Sequence, residues 1–174
     1  PATDLEEILA RNCHISDTAR AARFCRQAEQ ARYFCKDIHY PDVPLHTPTF
    51  DTTLLSAHIR PGHVMLIDCW ASWCGPCRAA IPAVKALYDK YDRDRFDVIS
   101  ISLDSKKEDW QKALEEEKMP WPQFIAGNRG YEQLTLRYNI NSIPNLILID
   151  DKGQVVCNTF SPEEISIELE EILR

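Results

Sequence analysis

The feature that most constrains this chain is an alternation of short apolar runs, long enough for strands, with stretches spaced as helices. "HVMLIDCW" suits a buried strand. A helix is expected from about Gly75 to Tyr91, with Ile81, Val84, Leu87, Tyr88 and Tyr91 as its apolar stripe. Pro82 falls inside it, removes a backbone donor and predicts a kink. "FDVISISLD" is the next strand, and Ser105 with Glu108 reads as a capping box opening a helix that carries Trp110, Ala113 and Leu114. A short strand near "QFIA" and a helix from about Tyr131 to Tyr138 come next. "PNLILIDDKGQVVCNTF" then gives two strands around a glycine-containing turn, a hairpin. Ser161, Pro162 and Glu164 open a last helix with Ile165, Leu169 and Ile172 facing inward. Strands alternating with helices, closed by a hairpin and a helix, give a three-layer α/β domain.

Upstream the pattern changes. From about Asp4 to Lys36 the chain reads as helix, with Asp4 capping a first segment that ends near Arg11. Ala21, Phe24, Cys25, Ala28, Ala31 and Cys35 lie at helical spacing in a second segment. The Pro-rich "YPDVPLHTPTF" reads as a connector. The expected organisation is a helical hairpin over residues 1–40 and an α/β domain over residues 41–174. The hairpin is expected to pack on itself and partly on the domain, away from the chemistry, as a spacer or partner-binding element.

A formal charge of -7 argues against nucleic acid as a partner, because phosphates would repel the chain. No stretch approaches the roughly 20 apolar residues needed to span a bilayer. The chain opens with Pro1, so a processed product is expected, its targeting segment lying outside this sequence. Seven cysteines leave at least one thiol free or paired outside the chain. Cys69 and Cys157 fall in expected strands and read as small buried hydrophobes. Cys25 and Cys35, about 15 Å apart on one helix, cannot bond each other. Cys13 can reach Cys25 if the hairpin folds back, although packing explains these residues equally well. Cys35, His39 and His46 are weak as metal ligands without further partners, and no metal is expected.

The chemistry concentrates in "DCWASWCGPC", Asp68 to Cys77. Cys74 ends the loop after the first core strand, and a helix begins just beyond it. The unpaired N–H groups of that first turn and the positive end of its dipole then favour thiolate at Cys74. Cys77, three residues on, shares its helix face and can reach back. Gly75 lets a partner's backbone come close, and Pro76 suits a first turn where its missing donor costs little. A permanent disulfide or half of a zinc site are the other readings. Zinc wants a second CxxC or equivalent pair, and the sequence has no second CxxC.

On these residues the chain resembles a known family. "LIDCWASWCGPCRAAIP" is similar to the active-site segment of thioredoxin-fold proteins, above all the extracytoplasmic TlpA/ResA-like thiol–disulfide oxidoreductases of bacteria. The resemblance continues through "ISISLDSKKEDWQKALEEEKMPWPQF" and "YNINSIPNLILIDDKGQVV", and covers roughly Pro48 to Arg174. It implies a thioredoxin-like three-layer fold around a mixed β-sheet and an enzyme that reduces or exchanges protein disulfides. Cys74 would be the attacking cysteine and Cys77 the resolving one. Ile143-Pro144 would be the family's cis-proline, offering the backbone of the preceding residue to substrate. Trp73, Gly75 and Pro76 would complete the substrate-binding surface; Trp70 is more often core in this fold. Asp68, six residues before Cys74, would be the buried acid that relays protons for Cys77, with a pKa raised by burial. An N-cap or salt-bridged carboxylate is its other reading.

The resemblance further implies no cofactor beyond the Cys74–Cys77 disulfide, partners that are protein thiols or disulfides together with an upstream redox protein, and a place in the periplasm or cell envelope. The Gly-Pro dipeptide suggests a reducing protein. Two departures stand out: Cys69 replaces an aromatic residue, and Ser100 occupies the place where thioredoxins keep a lysine near the acid. A peroxiredoxin is an alternative on the same fold, but Ile67 and Ala71 occupy the Pro and Thr positions of its P-x-x-x-T-x-x-C pattern. A partner-binding module with incidental redox activity is another.

Overall fold

The computed structural model describes Tyr40 and residues 42–174. The expectations for the upstream helical hairpin and for Cys13, Cys25, Cys35 and His39 lie outside the described residues. In chain order the elements are β1 (Pro44–His46), β2 (Thr52–Leu54), a 3-10 turn (Leu55–His58), β3 (Val64–Trp70), α1 (Gly75–Lys90), β4 (Phe96–Ser102), α2 (Lys107–Glu117), β5 (Gln123–Ile125), α3 (Gly127–Tyr138), β6 (Asn145–Ile149), β7 (Val155–Thr159) and α4 (Pro162–Ile172). The strands form one sheet in the order β2-β1-β5-β4-β3-β6-β7. β3, β4 and β5 run parallel, while β6, β7 and β1 join antiparallel, so the sheet is mixed.

β3 is apolar over nearly its whole length because it lies inside the sheet with both faces covered, and all seven of its residues are buried. Val64 and Leu66 face one side, where Val84 and Leu87 of α1 and Ile165 and Leu169 of α4 pack on them. Met65, Ile67 and Cys69 face the other, against Leu134 and Tyr138 of α3. By this alternation Asp68 falls on the α1 side, between Leu66 and Trp70. α2 lies beside α1: Trp110 and Ala113 pack with Trp70, Cys74 and Cys77, and Arg78 of α1 bridges Glu116 and Glu117. Truncating a side chain as deeply buried as Ile67 to Ala would cost about 2–5 kcal/mol.

Three sequence expectations are corrected here. The connector is partly strand: β1 and β2 pair as a hairpin, and β1 joins the sheet through His46 opposite Ile125. Its prolines hid it, yet a proline at the start of a strand is tolerated where its nitrogen need not donate, and Leu45 and Val43 are fully buried. The Ser105–Glu108 capping box does not form. α2 starts from Lys106 with no side-chain cap, and Glu108 and Asp109 in its first turn complement the helix dipole instead. α3 begins at Gly127, not near Tyr131. Its two early glycines argue against helix by propensity but are needed by packing: a Cβ on Gly130 would lie 2.5 Å from the Pro44 carbonyl oxygen. α1 continues through Pro82 to Lys90, and α4 is capped as expected, the Ser161 hydroxyl accepting from the Glu164 N–H.

Candidate active site

The site is built where β3 ends. The Leu103 N–H donates to the Trp70 carbonyl (2.8 Å) and the Cys74 N–H to the Ala71 carbonyl (3.0 Å), turning the chain into α1. Cys74 is the N-cap of α1, with extended backbone, and its Sγ accepts from the Cys77 N–H at 3.2 Å. One orphan donor of the first turn is thus aimed at Cys74 sulfur, the arrangement that stabilises thiolate once the pair is reduced. Cys74 and Cys77 are joined by a disulfide with Cα atoms 5.3 Å apart, and both are buried against Trp110 and Ala113 of α2. Gly75 and Pro76 lie exposed over them, with nothing within 4 Å of where a Gly75 Cβ would sit, so this rim is open to an approaching chain.

The loop that carries Cys74 is clamped from below. Asp104 is buried and accepts from the Ser72 N–H (2.9 Å), the Ser72 hydroxyl (2.7 Å) and the Ser102 hydroxyl (2.6 Å). Ser72 is thereby held to the end of β4, and Trp73 is left 69% exposed beside Cys74. Trp70 is fully buried and belongs to the core under the disulfide, not to the surface. The Ile143–Pro144 bond is cis, and Ile143 packs on the cluster that contains both cysteines. Between Trp73 and Ile143 lies a groove of about 280 Å³, walled by Leu103, Tyr131 and Ile140 and edged by Asn141 and Ser142.

Asp68 lies on the α1 face, 5% exposed. It makes no ion pair among the described residues and caps no helix; its Oδ2 accepts from the Ser100 hydroxyl at 2.8 Å. Burial pushes its pKa up to about 6, and the Ser100 hydrogen bond holds it back from going further. The Ser100 Oγ in turn accepts from the Trp121 indole N–H at 2.8 Å. Cys69, on the opposite face, is driven far up by burial and then by the neighbouring Asp68, and Cys157 is raised by burial and then by Glu168 and Glu164. Both thiols are therefore protonated at neutral pH; Cys69 is buried as the sequence reading expects, whereas Cys157, near the sheet edge on β7, is only half-buried.

Sequence reasoning singled out the two cysteines, Asp68, Trp73, Gly75, Pro76, Ile143 and Pro144. It missed Asp104, Trp121 and Tyr131, and also Phe50, whose ring packs on Trp110 at the rim of the disulfide cluster. Asp104 had a signal: "SISLD" ends the strand that follows the CxxC helix, so its acid emerges on the same edge as the CxxC loop. Trp121 and Phe50 had none.

Comparison with known proteins agrees with this geometry. A family model described as Thioredoxin-like matches residues 62–155. The chain is 26% identical over 133 residues to the thiol-disulfide oxidoreductase ResA of Geobacillus kaustophilus, covering 72% of this chain and 75% of that one. Among solved structures, a thiol-disulfide oxidoreductase from Bacteroides fragilis superposes with a TM-score of 0.69 at 25% identity, over 77% of this chain and 98% of that one. The thioredoxin domain of a Bacteroides vulgatus thiol-disulfide oxidoreductase superposes at 0.71, with 24% identity over 80% and 99% of the two chains, and supports the fold. The chain belongs to the thioredoxin-like family. Its Cys74–Cys77 pair is a thiol–disulfide redox centre, and the protein is a thiol–disulfide oxidoreductase.

Proposed function

We propose that this enzyme reduces disulfides in partner proteins through Cys74 as nucleophile, Cys77 as resolving thiol and Asp68 as the base that serves Cys77. The observation that carries the assignment is the N-cap position of Cys74, whose sulfur alone receives a donor from the first turn of α1. In the reduced enzyme the Cys74 thiolate attacks one sulfur of the partner disulfide. A Cys74–partner bond forms, the partner's S–S bond breaks, and the electron pair leaves on its second sulfur. Cys77 then gives its proton to the Asp68 carboxylate and attacks Cys74 sulfur. The mixed disulfide breaks, and the partner leaves as its second thiolate. The partner has gained two electrons and the enzyme is oxidised.

Trp73, Gly75, Pro76, Ile143 and Pro144 line the approach, and the backbone beside the cis-proline pairs with the extended partner. No cofactor beyond the dithiol–disulfide couple is required. An upstream thiol protein restores the dithiol. The resemblance to ResA-like proteins supports a place in the periplasm or cell envelope; among the described residues no helix is long and apolar enough to cross a membrane. Residues 41–174 are the catalytic domain, and residues 1–40 serve as spacer or partner-binding element, so their deletion leaves reduction of a small disulfide unchanged.

Insulin reduction with dithiothreitol as electron source tests the roles. Cys74→Ser should abolish turnover. Cys77→Ser should trap a mixed disulfide on Cys74. A trapped adduct on Cys77 in the Cys74→Ser protein, with turnover retained, would reverse the assignment.

A further inference from the structure

We propose that Trp121 and Ser100 form a one-way hydrogen-bond chain that locks Oδ2 of Asp68 as an acceptor and sets the protonation of this carboxyl, and with it the pH dependence of the Cys77 step. The inference rests on the reading of Asp68 as the base for Cys77.

The direction of the chain follows from its chemistry. An indole N–H is a donor with no acceptor capacity, and a serine hydroxyl has one hydrogen to give. Because Ser100 Oγ accepts from Trp121 Nε1 at 2.8 Å, its own hydrogen is directed elsewhere. Two acceptors are in reach: Asp68 Oδ2 at 2.8 Å and the Met119 sulfur at 3.9 Å. A carboxylate at that distance outcompetes a distant thioether. Ser100 therefore donates to Asp68, and the donation from Trp121 polarises it to do so. Oδ1 carries no hydrogen bond among the described residues and remains the oxygen that takes a proton.

Among the described residues no other group supplies this control. Ser100 is fully buried and Trp121 3% exposed, so water does not replace either partner. Across the sheet Asp68 faces Ser100 on β4 and Leu146 on β6, and Leu66 precedes it on the same face. Met119 adds a neutral thioether. From α1 the titratable group is Cys77, while Lys85 of that helix donates to the Glu117 carbonyl at 2.6 Å. α4 turns Ile165 and Leu169 inward, and Cys69 points to the opposite face. With no cation facing Asp68 among the described residues, the Ser100 hydrogen bond is the interaction that opposes its desolvation. The serine noted in place of a lysine thus has a neutral version of the same task. Trp121 and Ser100 are positioning residues, acting through Asp68.

The test is a carboxyl ¹³C titration of the full chain, paired with the pH profile of the Cys77 step. That step is followed as release of the second thionitrobenzoate after the reduced enzyme reacts with Ellman's reagent. In Ser100→Ala the Asp68 midpoint should rise by about one pH unit, a tenfold change in proton affinity. Cys77 attack should slow by about tenfold below the midpoint and converge with wild type above it. Ser100→Thr, which keeps the hydroxyl, should restore both midpoint and rate. Trp121→Phe should move the midpoint the same way by a smaller amount, with no further rise in the double variant. An unchanged midpoint in folded Ser100→Ala and Trp121→Phe overturns the proposal. A shifted midpoint with a rate profile untouched in both Ser100→Ala and Asp68→Asn overturns instead the reading of Asp68 as base, and the kinetic half of the proposal with it.

Discussion

Asp68 and Asp104 are the same residue type on neighbouring strands, Asp104 lying further along towards the loop that carries Cys74. Asp68 is the fifth residue of β3 and Asp104 lies two residues beyond the end of β4, and both are buried. They differ in what surrounds them. Among the described residues Asp104 receives three donors, two of them from Ser72, while Asp68 receives one, from Ser100. A carboxylate whose oxygens are filled by donors is a clamp, and here it holds the loop that presents Trp73 and Cys74. A carboxylate with one donor and little water is strained electrostatically, which leaves it ready to take a proton near neutral pH. Donor count, more than residue type or burial, separates the acid that clamps a loop from the one proposed as the base for Cys77.

The largest expected effect breaks the clamp. Asp104→Ala leaves the Ser72 N–H and the Ser102 hydroxyl without their acceptor and should cost about 3 kcal/mol or more of stability, measured by urea unfolding at pH 7. It should also slow alkylation of Cys74, because the loop no longer seats its sulfur on α1. If stability and alkylation rate both stay within error of wild type, the clamp has no mechanical role.

Asp68→Asn should change stability in the opposite direction. The folded-state pKa of about 6 lies above the ordinary 3.8, so the folded protein binds the proton more tightly than the unfolded chain. The ionised group therefore destabilises the fold above pH 6, by about 2–3 kcal/mol from the size of that shift. The penalty shrinks as pH falls from 6 towards 4 and is gone below. Asn at this position should accordingly stabilise the protein at pH 7 while making no difference near pH 4, and it should slow the Cys77 step. Urea curves at both pH values test it; a destabilised Asp68→Asn protein at pH 7 would mean that Asp68, too, is a structural acid.

Ser72→Ala is the mildest probe. It removes one of Asp104's three donors and keeps the backbone one, so a loss of about 1 kcal/mol is expected, with Cys74 reactivity preserved. A loss as large as that of Asp104→Ala would mean that the clamp works through this hydroxyl alone.

Much of this was legible beforehand. The strand over "VMLIDCW", the helix opened by Gly75-Pro76, the closing hairpin and the cap at Ser161 follow from local rules of burial period and capping, which a short window of residues contains. The site cysteines are legible for the same reason, since strand, loop and helix start are contiguous. β1 was not, because a three-residue strand beginning with proline has no period of its own and forms only where β5 and β2 offer it partners. Nor was the start of α3, where Gly127 takes a positive φ against the His46 ring and Gly130 reflects a close approach to Pro44, neither of which a local window contains.

What the sequence determined alone is therefore the redox pair, its place at a strand–helix junction and an acid nearby. What the tertiary structure decided is which groups that acid and its neighbour meet. β3 and β4 pair in parallel from Val64 beside Phe96 to Trp70 beside Ser102, an offset of 32 residues. The same offset sets Ser100 beside Asp68 and Asp104 beside Ser72. A slip of one residue would turn Ser100 to the far face and leave Asp68 without its donor. Register arises from the packing of both sheet faces at once, so no stretch of sequence short enough to read by its local pattern contains it.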